Sequence, residues 1–152
     1  MTYELREGQY LVSTDPSLLD IDRIHAFLTA SYWAEGVPRD IVARSIRHSI
    51  PFGLYDGHAQ IGFARAITDR ATFAYLADVY VEEEYQGQGL GKLLMRAVMA
   101  HPDLQGLRRW MLGTRDAHGL YRQFDFMEMR HSDRWMEKAD PDVYTRAGAE
   151  YD

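Results

Sequence analysis

The stretch that most constrains this chain is Leu76 to Ala100, L-A-D-V-Y-V-E-E-E-Y-Q-G-Q-G-L-G-K-L-L-M-R-A-V-M-A. An apolar run, a glycine-rich turn and an amphipathic segment follow one another there without a break. Phe73 to Val81 is rich in aromatic and β-branched residues and predicts a strand, with Val79 and Val81 on one pleat face. Gly87, Gly89 and Gly91 supply a turn where backbone can approach a ligand with no Cβ in between. Leu90, Leu93, Leu94, Ala97 and Val98 recur at i, i+3, i+4, i+7 and i+8, the buried stripe of a helix that begins at the turn. A helix start preceded by free N–H groups attracts anions, phosphate above all. The stretch reads as a pyrophosphate cradle.

The spacing excludes two other cradles. A P-loop requires G-x-x-x-x-G-K-[S/T], whereas here Lys92 is followed by Leu93. A dinucleotide fingerprint requires G-x-G-x-x-G early in a βαβ unit, and these glycines are G-x-G-x-G near the middle of the chain. Gln86-Gly87-Gln88-Gly89-Leu90-Gly91 instead resembles the Q/R-x-x-G-x-G/A motif of the GCN5-related N-acetyltransferase (GNAT) superfamily. The resemblance is carried further by the preceding D-V-Y-V-E-E-E-Y and the helix that follows. It implies that Gln86, Gly87, Gln88, Gly89, Leu90, Gly91 and Lys92 hold the pyrophosphate of acetyl-CoA, mainly through backbone N–H groups.

Length and composition fit that implication. The 152 residues suit one domain, since domains commonly run to ~100–150; the expected core is about 9–137, with a polar tail at 139–152. No apolar run approaches the ~20 residues of a membrane helix, and Met1 to Gln9 mixes charges in a way unlike a secretory signal. No membrane partner and a cytoplasmic location are the expectations. The absence of cysteine excludes a disulfide scaffold and a thiol nucleophile. Six histidines without H-x-x-x-H spacing give no metal site. A formal charge of −6 disfavours nucleic acid and suits an amine substrate.

Taken in order, Gln9 to Thr14 predicts a strand, and Asp20 to Ala30 and Arg39 to Ser49 predict helices, the second opened by Pro38. Pro51 to Tyr55 and Ala59 to Ile67 predict two strands joined by Asp56-Gly57, a hairpin signal. Leu107 to Gly113 predicts a strand, Asp116 to Phe124 a short helix, and Met127 to Lys138 one or two further strands. The order matches a GNAT-like α/β (α+β) fold: a mixed, mostly antiparallel sheet splayed at its centre, with helices on both faces.

Acetyl transfer from a thioester to an amine requires a deprotonated amine, a polarised carbonyl and a stabilised or protonated leaving thiolate. No covalent enzyme intermediate is needed. In the family, a gap between splayed strands receives the pantetheine arm; here that edge falls on the main chain of Val79, Tyr80 and Val81. Thr114-Arg115-Asp116-Ala117-His118-Gly119-Leu120-Tyr121 resembles the start of the family's N-x-x-A-x-x-L-Y-x-x-x-G-F. The likeness places Tyr121 as general acid to the leaving sulfur, with Thr114 and Ala117 beside the cofactor. Thr114 stands where the family has asparagine, and Asp125 where it has glycine; aspartate tolerates a left-handed backbone better than most residues.

Asp78 is the acid on the central strand, set between apolar neighbours where a carboxylate needs a partner or a task. Strand parity puts it opposite Tyr75, Ala77 and Val79 unless a bulge intervenes. The two readings are a base or substrate contact, and an ion pair with Arg65 or Arg109. Glu82, Glu83 and Glu84 read as a solvated rim, and His118 and His131 as surface residues. Ser31, Tyr32, Trp33 and Glu35, between the first two helices, are the substrate-binding candidates. The function implied is acetyl-CoA-dependent N-acetylation of a small-molecule or peptide amine, with a homodimer compatible. The rival is a non-catalytic acyl-CoA-binding or regulatory module.

Overall fold

The computed structural model describes residues 1–146. Its sheet has six strands in sequence order: β1 Glu4–Glu7, β2 Tyr10–Ser13, β3 Ile50–Asp56, β4 Ala59–Thr68, β5 Phe73–Val81 and β6 Arg109–Met111. Every neighbouring pair is antiparallel except β5 and β6, which are parallel. The helices are α1 Ile21–Thr29, α2 Arg39–Arg47, α3 Leu90–Ala100 and α4 His118–Arg122.

The helices lie on both faces of the sheet, as the hydrophobic periodicity requires. Leu90, Leu93, Leu94, Ala97 and Val98 of α3 are buried against Phe52, Leu54, Ile61 and Leu76 on one face. Ile24 and Leu28 of α1 and Val42 and Ile46 of α2 enclose Phe63 and Tyr80 on the other. Asp20 caps α1 by accepting from Arg23 N–H at 3.1 Å, and α2 starts directly after Pro38. By contrast α3 has no side-chain cap and opens from Gly89 at φ 79°.

Three differences from the sequence reading have identifiable causes. The first strand is the second arm of a hairpin, because Glu4–Glu7 pairs with Tyr10–Ser13 across a turn at Gly8, φ 58°. Met127 to Lys138 forms no strand. Beyond β6 it runs as loop, with a 3-10 turn at Ser132–Arg134, and residues 130–138 are largely exposed. There the polar run Arg130 to Arg134 breaks the alternation, and Trp135 is held instead by the Arg109 guanidinium, 4.6 Å from its ring centroid. Third, Glu82 is not part of a solvated rim: Arg23 grips it with two hydrogen bonds of 2.7 Å, whereas Glu83 and Glu84 are exposed. In the tail, Val143 and Tyr144 are half-buried, Tyr144 against the α1/α2 cluster, while Tyr151 lies outside the described residues.

Two irregularities shape the centre of the sheet. On β5 the register moves from Phe63↔Tyr80 to Arg65↔Ala77, so the strand carries one extra residue opposite β4. Asp78 occupies that bulge with φ 57°. On the other side, β5 and β6 pair only from Phe73↔Arg109 to Tyr75↔Met111. From Leu76 to Val81 that edge of β5 has no strand beside it among the described residues.

Candidate active site

The parting of β5 from β6 opens a cleft of about 650 Å³. Its floor is Tyr75 to Val79, one wall is Leu112 to Ala117 with Tyr121, and the other is Tyr32, Trp33 and the inner face of α2. Tyr144 from the tail lines the cleft as well.

The bulge decides what faces this space. In a regular strand Asp78 would share a face with Ala74 and Leu76, which are buried in the α3 core. The extra residue reverses that, and Asp78 joins Tyr75 and Ala77 in lining the cleft. Beyond the bulge, Val79 and Val81 pack on the α3 side, and Tyr80 turns to stack on Phe27, with centroids 3.8 Å apart and planes 9° from parallel. Tyr80 can therefore offer a ligand only its main chain. Its buried hydroxyl has no hydrogen-bond partner among the described residues, and burial raises its pKa.

Asp78 is paired with Arg65, not Arg109. Arg65 Nε donates to Oδ2 at 2.6 Å, and Trp33 Nε1 donates to Oδ1 at 3.0 Å. The side chains of Arg65 and Asp78 are 16% and 11% exposed, so the pair is shielded enough to hold geometry. Asp78 thereby ties the loop after α1 to the sheet floor.

Tyr121 stands at the inner end of the cleft, supported edge-to-face by Phe126 at 6.0 Å. Burial, then the charges of Tyr32 and Asp116, pushes its pKa up to about 12. Among the described residues its hydroxyl makes no hydrogen bond, and it is not sealed from solvent. The neighbouring Thr114 accepts from Ala117 N–H at 3.0 Å, shaping the turn into α4. Asp125 takes up φ 69°, the left-handed conformation that its place in the motif requires.

The glycine turn is held from both sides by glutamines. Gln86 Nε2 donates to the carbonyl of Val81 at 2.9 Å, and Gln88 Oε1 accepts from the Tyr10 hydroxyl at 3.2 Å. These side chains pin the loop, leaving its backbone available. From Gly87 to Lys92 no main-chain N–H meets an acceptor at hydrogen-bond geometry among the described residues. Gly87 and Gly89 have φ 81° and 79°, and a Cβ on either would meet nothing within 4 Å. An uncapped helix start, open amides and empty space in front of them fit a diphosphate.

The loop after α1 divides. Tyr32 and Trp33 line the cleft. Ser31 does not: it is buried, its hydroxyl donates to Leu28 O at 2.7 Å and accepts from Ala34 N–H at 3.1 Å, so it shapes the turn. Glu35 is exposed and outside the cleft lining. His118 and His131 are exposed. Arg115, Tyr75 and Tyr144 line the cleft although sequence reasoning did not single them out. For Arg115 the available signal was its place inside the second motif; for Tyr144, an aromatic in a polar tail.

The acetyltransferase (GNAT) domain family matches residues 47–128. A Gibberella zeae protein assigned as an acetyltransferase is 39% identical over 80% of this chain and 85% of its own length. A crystal structure of a Xanthomonas campestris pv. campestris protein, assigned as a GNAT-family acetyltransferase, superposes with a TM-score of 0.89. It is 49% identical and covers 92% of this chain and 99% of that one. Glucosamine-6-phosphate N-acetyltransferase from Arabidopsis thaliana shares the fold alone, at TM-score 0.61 and 12% identity over 88% of this chain and 98% of its own. The chain belongs to the GNAT superfamily. It is an N-acetyltransferase of that class, with a mostly antiparallel six-stranded sheet. Among the described residues no helix is long and apolar enough to cross a membrane.

Proposed function

We propose that the chain transfers an acetyl group from acetyl-CoA to a primary amine of a small molecule or peptide by direct attack. The observation that carries this reading is the run of unmatched amides from Gly87 to Lys92, next to the edge of β5 that β6 has left. Those amides, with the positive end of α3 behind them, would hold the diphosphate. The main chain of Val79, Tyr80 and Val81 would receive the pantetheine amides as a strand receives a neighbour. Bound there, acetyl-CoA supplies an activated thioester.

In the transfer a C–N bond forms and the C–S bond breaks; one proton leaves the amine and one ends on sulfur. Tyr121 is suited to the second proton, since its hydroxyl has no competing partner among the described residues and stays protonated at neutral pH. Asp78 already accepts from Arg65 and Trp33, which makes it an anchor for the Trp33 loop rather than the group that takes the amine proton. That proton is assigned to solvent in the cleft.

The test is thiol release from acetyl-CoA against a panel of amines, amino acids and peptides, with calorimetry of coenzyme A binding. Release with at least one amine and tight binding are expected. Failure of coenzyme A to bind, or binding without release for any amine, would overturn the proposal.

A further inference from the structure

The cleft has a donor side, towards the glycine turn and the β5 edge, and an acceptor side, where the loop after α1 meets the chain between β6 and α4. Two charges on the acceptor side are uncommitted. Arg115 places its guanidinium carbon 3.8 Å from the ring centroid of Tyr32. Its main-chain N–H donates to the Tyr32 hydroxyl at 3.2 Å. These contacts join the two walls and fix where Arg115 stands.

They leave its guanidinium donors free. Among the described residues Arg115 enters no ion pair, whereas Arg65, the other cation lining the cleft, is answered by Asp78 at 2.6 Å. A guanidinium resting on a ring turns its N–H edge outward in the fork that matches a carboxylate. Asp116 lines the same wall, again without an ion pair, near enough to Tyr121 to act on it electrostatically.

The chain as a whole carries −6, yet its cleft lining carries two arginines and two aspartates. A polycationic acceptor would find Asp78 already engaged and Arg115 repelling it. An acceptor with one positive and one negative end would meet a free partner for each.

We propose that the acceptor is an amine that also bears a carboxylate, with the carboxylate on Arg115 above Tyr32 and the amine directed towards Asp116 and Tyr121. This rests on the acetyltransferase reading given above. It narrows the substrate class to amino-acid-like molecules and makes Arg115 the residue that selects them.

The experiment uses the full chain and matched acceptors. Phenylalanine and leucine are compared with their amides, with phenethylamine and isoamylamine, and with putrescine, by thiol release from acetyl-CoA. Arg115→Gln and Arg115→Lys are run beside the parent. In the parent, kcat/KM should favour the carboxylate over its amide by about tenfold or more, as a charge-assisted pair would give. In Arg115→Gln that ratio should collapse towards one through KM, and Arg115→Lys should restore part of it. Coenzyme A affinity, read by calorimetry, should not move.

Equal or better turnover of amides, simple amines or putrescine overturns the proposal and leaves the acetyltransferase reading standing. A ratio unchanged in Arg115→Gln overturns it as well. If no acceptor supports release, calorimetry with N-acetylphenylalanine and its amide decides. Binding that depends on both the carboxylate and Arg115 supports the proposal, and its absence overturns it. Loss of coenzyme A binding would sink the parent reading separately.

Discussion

Replacing Tyr121 by phenylalanine separates chemistry from folding. The residue is 8% exposed, packs against Phe126, and belongs to the α3 core cluster. Every apolar contact of the ring survives in Tyr121→Phe. Because the hydroxyl bonds nothing among the described residues, its removal orphans no buried partner there. The expected stability change is within about 0.5 kcal/mol, the range of a substitution that touches no network. For a domain of this size that is no more than about 2 °C in Tm. Turnover should respond quite differently. With the pKa pushed up to about 12, the phenol remains protonated across neutral pH and is available to the leaving sulfur. Removing a positioned acid costs roughly 10²- to 10⁴-fold in kcat, or about 3–5 kcal/mol of barrier. The assay pairs steady-state thiol release with a thermal melt and coenzyme A calorimetry on the same preparation. A kcat within threefold of the parent would refute the acid role and leave Tyr121 as a core residue. A melt lowered by more than about 5 °C would refute the argument from the unpartnered hydroxyl.

Asp78→Ala should cost about 2–4 kcal/mol in chemical denaturation, since it strips Arg65 and Trp33 of their acceptor in a shielded site. Asp78→Asn should cost less, because asparagine keeps the left-handed backbone and an acceptor for Trp33. A double-mutant cycle with Trp33→Phe should show coupling of at least about 0.5 kcal/mol, and strict additivity would remove the tie between loop and floor. Gly89→Ala should lose about 1–2 kcal/mol of stability to backbone strain at φ 79° and most coenzyme A affinity. Gly91→Ala, whose Cβ would sit 3.5 Å from Leu120 Cδ2 without that strain, should keep both; equal affinity losses in the two variants would count against the cradle. His101 is buried between Tyr3 and Phe52, and its Nδ1 accepts from Asp103 N–H at 3.0 Å. Burial lowers its pKa below the ordinary 6.5 despite Asp103. Its stabilising contribution is thus present above pH 6.5 and lost as pH falls through the depressed folded value. As pH falls below 6.5 the parent should lose up to about 1.4 kcal/mol per pH unit more than His101→Gln until the folded imidazole also protonates, and parallel melting curves would refute this.

The parts of the fold that read directly from sequence are those where local chemistry and tertiary demand agree. Gly89 at the head of an apolar stripe and Asp56-Gly57 between alternating strands are of this kind. The first arm of the N-terminal hairpin was invisible because Glu-Leu-Arg-Glu has one apolar residue and declares no face. Met127 and Met129 misled in the opposite direction, offering alternation that no neighbouring strand takes up. The bulge left a subtler mark. A carboxylate among Leu76, Ala77 and Val79 contradicts the parity of a buried strand, and the contradiction is resolved by one inserted residue with positive φ. Arg115 could not be valued from sequence, since its meaning comes from Tyr32, distant along the chain and opposite it in space.

The cleft draws its floor from inside the span shared with the acetyltransferase domain family, residues 47–128, while Tyr32, Trp33 and Tyr144 come from outside it. One wall of the cleft is thus written in stretches of polypeptide outside that span, while Arg115 and Asp116 on the facing wall come from within it. Such a division lets the outer wall be exchanged without changing the residues of the shared span. Transplanting the 31–37 loop and the residues around Tyr144 between relatives is therefore a natural way to retarget an enzyme built on this plan.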